Sequence, residues 1–97
     1  MSIKASAKVE EKLGSKHGVS LKEVEECFMN RVGRELYDQR EKHGTNPRTR
    51  WFIAHTNHCR ALKVIYVPRE DGVDLKSAYE PNHEEIRIYL KHGGPIC

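Results

Sequence analysis

The sequence predicts an α+β domain, with two N-terminal helices, a three- to four-stranded antiparallel sheet and a C-terminal helix. Three observations carry that reading. Apolar residues recur at helical spacing from Leu21 behind a Ser20–Glu23 capping signal, the pattern changes to short strand-type segments after Gly33, and a second capping signal stands at Asn82 and Glu85.

The elements follow in order. Met1 to Gly14 is rich in helix-favouring Ala, Lys and Glu, with Val9 and Leu13 one turn apart, so it reads as a weakly amphipathic helix that Gly14 and Gly18 stop. Ser20 opens the second helix, and Leu21, Val24, Cys27, Phe28 and Val32 share the face expected in the core. A short strand is expected around Glu35 to Asp38, followed by a polar connection through Gly44, Asn46 and Pro47. Trp51 to Thr56 reads as a strand, Asn57 and His58 as a turn, and Ala61 to Val67 as the returning strand that ends at Pro68. Glu70, Asp71 and Gly72 turn the chain into Val73 to Glu80, which Pro81 halts. Asn82 caps a last helix whose apolar face is Ile86, Tyr89 and Leu90, whose negative end carries Lys91 and His92, and which Gly93, Gly94 and Pro95 close. All helices are expected on one face of the meander, leaving the other face open; Lys63, on the less apolar side of its strand, is expected to point outward there.

Size and composition bound the function. The 97 residues suit a single domain spanning 1–97, and a hydrophobic share of 37% is lean enough to leave room for a partner surface or a homodimer contact. Cys27, Cys59 and Cys97 are an odd set without CxxC spacing, which argues against a disulfide framework and for a reducing compartment. With no apolar leader and no run of apolar residues long enough to span a bilayer, the expectation is a cytoplasmic protein with no membrane association. No cofactor is implied. Glycine-rich phosphate loops, a serine nucleophile elbow and HExxH are all missing from the sequence, which leaves nucleotide hydrolysis, esterase and zinc-protease chemistry without support. His55, His58 and Cys59 lack a fourth ligand at a usual spacing, so no metal site is assigned.

A net charge of +3 is too small to indicate a polyanion partner by itself; its distribution is more informative. From Lys42 to Arg69 the chain runs twenty-eight residues without Asp or Glu, with six Lys or Arg, three His and the only Trp. Such a stretch reads either as a solvated face or as a surface for phosphates, and its companions favour the second. Arg48, Arg50, Arg60 and Lys63 suit phosphate oxygens and Trp51 suits base stacking, with Lys76 as a further cation. Metal-free RNA cleavage needs a base, an acid and cations; His55, His58 and His83 are the imidazole candidates, with Tyr79 as an acid or a phosphate-positioning group.

The segment Lys16-His17-Gly18-Val19-Ser20-Leu21, the acidic helical residues after it, and Arg48-x-Arg50-Trp51 leading into paired strands together resemble the BrnT-type toxins of bacterial toxin–antitoxin systems. The likeness runs from about Lys8 to Gly93. It implies a RelE-like ribonuclease fold with an antiparallel sheet and flanking helices, metal-independent endoribonuclease activity on RNA, and a cognate antitoxin as protein partner. Lys16, His17 and Gly18 match the signature at the first helix boundary, and Arg50 and Trp51 match the entry to the central strand. The fourth strand retains Ser77 and Ala78 of the family's Arg-x-x-Ser-Ala-Arg form but has Asp74 and Tyr79 where its arginines fall. That departure supports a second reading, a non-catalytic binding protein that uses the same sheet face for a protein partner or a nucleic acid.

Overall fold

A computed structural model describes residues 2–39 and 48–97. In chain order the elements are β1 (Ser2–Lys4), α1 (Ala7–Lys12) continued by a π-helical turn (Leu13–His17), α2 (Leu21–Asn30), β2 (Leu36–Tyr37), β3 (Arg50–His55), β4 (Ala61–Arg69), β5 (Gly72–Tyr79) and α3 (His83–His92). The class is α+β, as the sequence predicts. The connection expected through Gly44, Asn46 and Pro47 lies outside the described residues, as do Lys42 and His43 at the start of the acid-free run.

The turn signals produce the antiparallel meander β3-β4-β5, in which Phe52 faces Val64 and Val64 faces Ala78. Among the described residues the sheet has five strands in the order β1-β5-β4-β3-β2, so the expected three or four gain an edge strand. β2 is antiparallel to β3, with Leu36 opposite Trp51, whereas β1 runs parallel to β5, with Ile3 opposite Val73. Helix-favouring composition predicts a helix at the start of the chain. Pairing overrides it because the backbone of Ser2 can approach Gly72, where any Cβ would collide with the Ser2 carbonyl. The helix begins only after Ser6, whose hydroxyl accepts the Val9 N–H. It does not stop at Gly14 either, but continues through the π-helical turn to Gly18, which takes the left-handed φ of 60°. β4 likewise runs beyond Pro68, which lies past the last β3–β4 pair at Arg50 and Tyr66, where only β5 flanks it and a residue without an N–H is tolerated.

Helices cover both faces of the sheet, correcting the expectation of one. Phe28 of α2 meets Phe52 and Tyr66 edge-on, while Tyr89 of α3 packs on Trp51, whose side chain projects to the opposite side from Phe52. The reason is legible in β4. Ile65 and Val67 are buried like Leu62 and Val64 on the other side, so the strand is apolar on both sides and needs two covers. Lys63 therefore does not point into solvent; it is buried at 5% exposure.

Both capping boxes form, at Ser20–Glu23 and Asn82–Glu85. Val24 and Cys27 are fully buried and Leu21 and Phe28 half-buried, but Val32 lies beyond the end of α2 and is exposed. In α3, Tyr89 is buried and Ile86 half-buried as expected, whereas Leu90 is exposed and Ile88 packs in its stead.

Candidate active site

Cations on adjacent strands repel one another unless carboxylates reach them, and here the carboxylates come from outside the acid-free run. Glu35, just before β2, binds Arg50 at 3.3 Å; Glu23 of α2 and Glu80 after β5 bind Arg60 at 3.1 and 2.9 Å; Glu85 of α3 binds Lys63 at 2.8 Å. Asp74 pairs with Arg69. The stretch is thus not an open basic patch. Arg48 and Arg50 also lie over the exposed Tyr37 ring, at 4.6 and 5.3 Å from its centroid, and Arg50 Nε is buried without a hydrogen-bond partner among the described residues.

The structure does not gather the expected site residues onto one patch. Arg50 and His55 begin and end β3, roughly 16 Å apart at the rise of an extended strand, and their odd spacing sends them to opposite faces. Arg48 lies at the Arg50 end, whereas His58 and Arg60 follow His55 around the β3–β4 turn. His55 is half-buried, with its carbonyl accepting from Asn30 Nδ2 at 3.0 Å; His58 is exposed beside Cys59, whose φ is 63°. His83 is exposed at the start of α3, and Lys76 is exposed on β5 beside the bulge that shifts its pairing with β4. Trp51 is 8% exposed beneath Lys63 and Tyr89, a core position instead of an open stacking platform.

Three of the expected residues do meet, Lys63, Tyr79 and Trp51, and two unexpected ones join them, Glu85 at Lys63 and Tyr79 and His17 at Tyr79. Lys63 is register partner of Tyr79, so both side chains project from the face that α3 covers. Glu85 occupies the third position of the α3 capping box, where Oε1 accepts the Asn82 N–H at 3.0 Å. Its Oε2 accepts both the Lys63 ammonium and the Tyr79 hydroxyl, each at 2.8 Å. Burial pushes the Glu85 carboxyl upward, but bonds from Lys63, the Asn82 N–H and Tyr79 outweigh it and hold the group below its ordinary 4.5. Lys63 Nζ stands 4.4 Å from the centre of the Trp51 ring, a cation–π contact that adds to its hold.

His17, the last residue of the π-helical turn, brings its ring to 5.4 Å from that of Tyr79. Its backbone is fixed by Arg60, which donates to the carbonyls of His17 and Gly18 at 3.2 and 2.9 Å. The bond to Glu23 leads the effects that raise the Arg60 pKa further, while Glu23 is held low, first by the Ser20 N–H and then by Arg60. Arg60 is accordingly a clamp between α2, β4 and the π-helical turn, not a free phosphate ligand. A phenol and an ammonium thus share one carboxylate, with an imidazole beside the phenol ring, a set with groups for proton exchange and for holding an anion.

Sequence reasoning took Glu85 only as a cap and His17 only as a signature position. One signal pointed to Glu85: Lys63 is the lone charge in the otherwise apolar Ala61–Val67, and a buried lysine requires a carboxylate. Lys63 and Glu85 also wall a cleft of about 850 Å³ between β2 and α3, lined further by Leu36, Trp51 and Ile88. Among the described residues no group of three or more His, Cys, Asp or Glu is arranged to hold a metal, and no helix is long and apolar enough to cross a membrane. No protein-family model and no curated protein matches the chain.

Proposed function

We propose that the chain is a metal-independent endoribonuclease of the toxin type, with RNA as substrate and a cognate antitoxin as its protein partner. The observation that carries this reading is the juxtaposition of His17, Tyr79 and Lys63 where β4 begins and β5 ends, with the Tyr79 ring beside His17 and its hydroxyl on the carboxylate that Lys63 also binds. His17 takes the proton of a ribose 2′-hydroxyl, whose oxygen attacks the adjacent phosphorus. The bond to the 5′-oxygen breaks as the Tyr79 phenol, which donates to a phosphoryl oxygen of the bound phosphodiester, turns its proton to that leaving oxygen, and Lys63 balances the charge on the phosphoryl oxygens. The products are a 2′,3′-cyclic phosphate and a 5′-hydroxyl, and solvent returns the proton from His17 to Tyr79. The likeness to BrnT-type toxins supports the same reading from the sequence side, and Tyr79, which replaces an arginine of the family's pattern, supplies the acid.

The test is incubation of the purified chain with structured and messenger RNA in chelator near neutral pH. Cyclic-phosphate ends and growth arrest on expression are expected; intact RNA together with normal growth refutes the catalytic reading. The second reading, a non-catalytic binder, is favoured by the pairing of Arg50, Arg60 and Lys63 with carboxylates. RNA affinity that falls steeply with salt, without cleavage, selects its nucleic-acid version, because counterion release sets that slope; a co-purifying protein without RNA affinity selects its protein version.

A further inference from the structure

We propose that Lys63 Nζ and Tyr79 OH form an oxyanion site for an RNA phosphodiester, and that Glu85 is its built-in competitor, so that the first turn of α3 withdraws before a phosphate binds. This rests on the ribonuclease reading only for the identity of the ligand; the anion site itself is argued from geometry. Two donors on neighbouring strands converge on a single oxygen, Glu85 Oε2, at equal distances of 2.8 Å. A point reached by an ammonium and a phenol together is where a phosphate oxygen is best held. The ammonium is fixed in advance: the Lys63 side chain is only 6% exposed and its Nζ rests on Trp51, so it need not reorganise when the anion changes.

The two ends of α3 are held differently. Its C-terminal end is anchored where Tyr89, fully buried, donates its hydroxyl to the Arg34 carbonyl at 2.9 Å, and where the Arg34 N–H and Nε bind the carbonyls of Gly93 and His92. Gly33 and Gly93 admit the Tyr89 ring so closely that a Cβ at either would collide with it. At the N-terminal end His83 and Glu84 are exposed, and Glu80, paired with Arg60, Pro81 and Asn82 form the link from β5. Glu85 supplies the polar hold of this first turn on the sheet through one carboxylate oxygen. Exchange of that carboxylate for a phosphate leaves Lys63 and Tyr79 satisfied and returns Glu85 to water, so the cost is the opening of one helical turn and not an unpaired buried charge.

The experiment titrates inorganic phosphate against the intact chain, following the fluorescence of Trp51, the only tryptophan, beneath the Lys63 ammonium. Glu85→Gln removes the competing charge, and Glu85→Asp retracts it by a methylene. We expect Glu85→Gln to bind phosphate about tenfold more tightly than the parent or better, a difference of one decade in Kd, with Glu85→Asp between the two. Adding Lys63→Met to Glu85→Gln should erase the gain. In the parent protein, saturating phosphate should speed amide exchange at residues 85–87 and leave residues 89–93 unchanged. Parent-like affinity in a folded Glu85 variant, a gain that survives loss of Lys63, or uniform exchange along α3 under phosphate overturns the proposal. Tighter phosphate binding through Lys63 with no RNA cleavage leaves the anion site standing and removes the nuclease; cleavage without that gain removes the latch alone.

Discussion

The Arg50 corner and the Lys63 cluster come from the same acid-free run, and each cation has found a carboxylate, yet the two pairs differ in kind. Arg50 and Glu35 keep about a third of their side chains in water, at 30% and 31%, and Arg50 shares the exposed Tyr37 ring with Arg48. Lys63 and Glu85 are 6% and 17% exposed, and a phenol joins them. An exposed pair contributes little because water and salt compete for both ions; a buried one must be satisfied or the fold suffers. A run of positive charge in a sequence thus becomes a surface feature at one place and a buried polar site at another, and the carboxylates that decide between them lie elsewhere in the chain.

Substitutions separate the two regions. Lys63→Met leaves Glu85 partly buried without its cation, and urea denaturation should show a loss of about 3 kcal/mol, the order found when one partner of a buried pair is removed; a loss below about 1 kcal/mol would place Lys63 with the surface cations. Arg60→Ala removes bonds to two carboxylates and two backbone carbonyls. It should cost about 2 kcal/mol in the same measurement, in line with hydrogen bonds to charged groups, and an unchanged midpoint would show that Arg60 is no clamp. Arg50→Ala, at the half-buried pair whose ions still reach water, should cost less than either, about 1 kcal/mol.

The pH dependence sharpens the same contrast. Glu85 and Glu23 are both held below 4.5, so the stability they contribute is complete above that value and is lost as pH falls through their lower folded values. Thermal melting should therefore be flat from neutrality to about pH 5 and decline below 4.5, with the slope reduced in Glu85→Gln; a variant that declines as steeply as the parent places the acid sensitivity in other carboxylates.

Much of the fold was legible because local chemistry and tertiary context agree. Ser20–Glu23 and Asn82–Glu85 fixed two helix starts, and the turns at Asn57–His58 and Glu70–Asp71 fixed the meander. β1 was not legible, since its three residues become a strand only through an edge supplied by Gly72 some seventy positions later. The placement of α3 departs from the expectation because Lys63 marks a wet face by residue type alone, although Ile65 and Val67 on the same side mark a buried one. The candidate site was half legible. Tyr79 and Lys63 were singled out by residue type, but their meeting with His17 depends on strand register and on the π-helical turn, neither of which sequence spacing reveals.

The most direct measurement compares RNA cleavage by His17→Gln and Arg50→Ala in chelator at neutral pH, with both variants verified as folded. Loss of a proton-transferring imidazole should lower the rate about a hundredfold or more, while Arg50→Ala, at the far end of β3, should keep most of the parental rate. Parental cleavage by His17→Gln, or its collapse in Arg50→Ala alone, would contradict the assignment of the chemistry to the His17–Tyr79–Lys63 cluster.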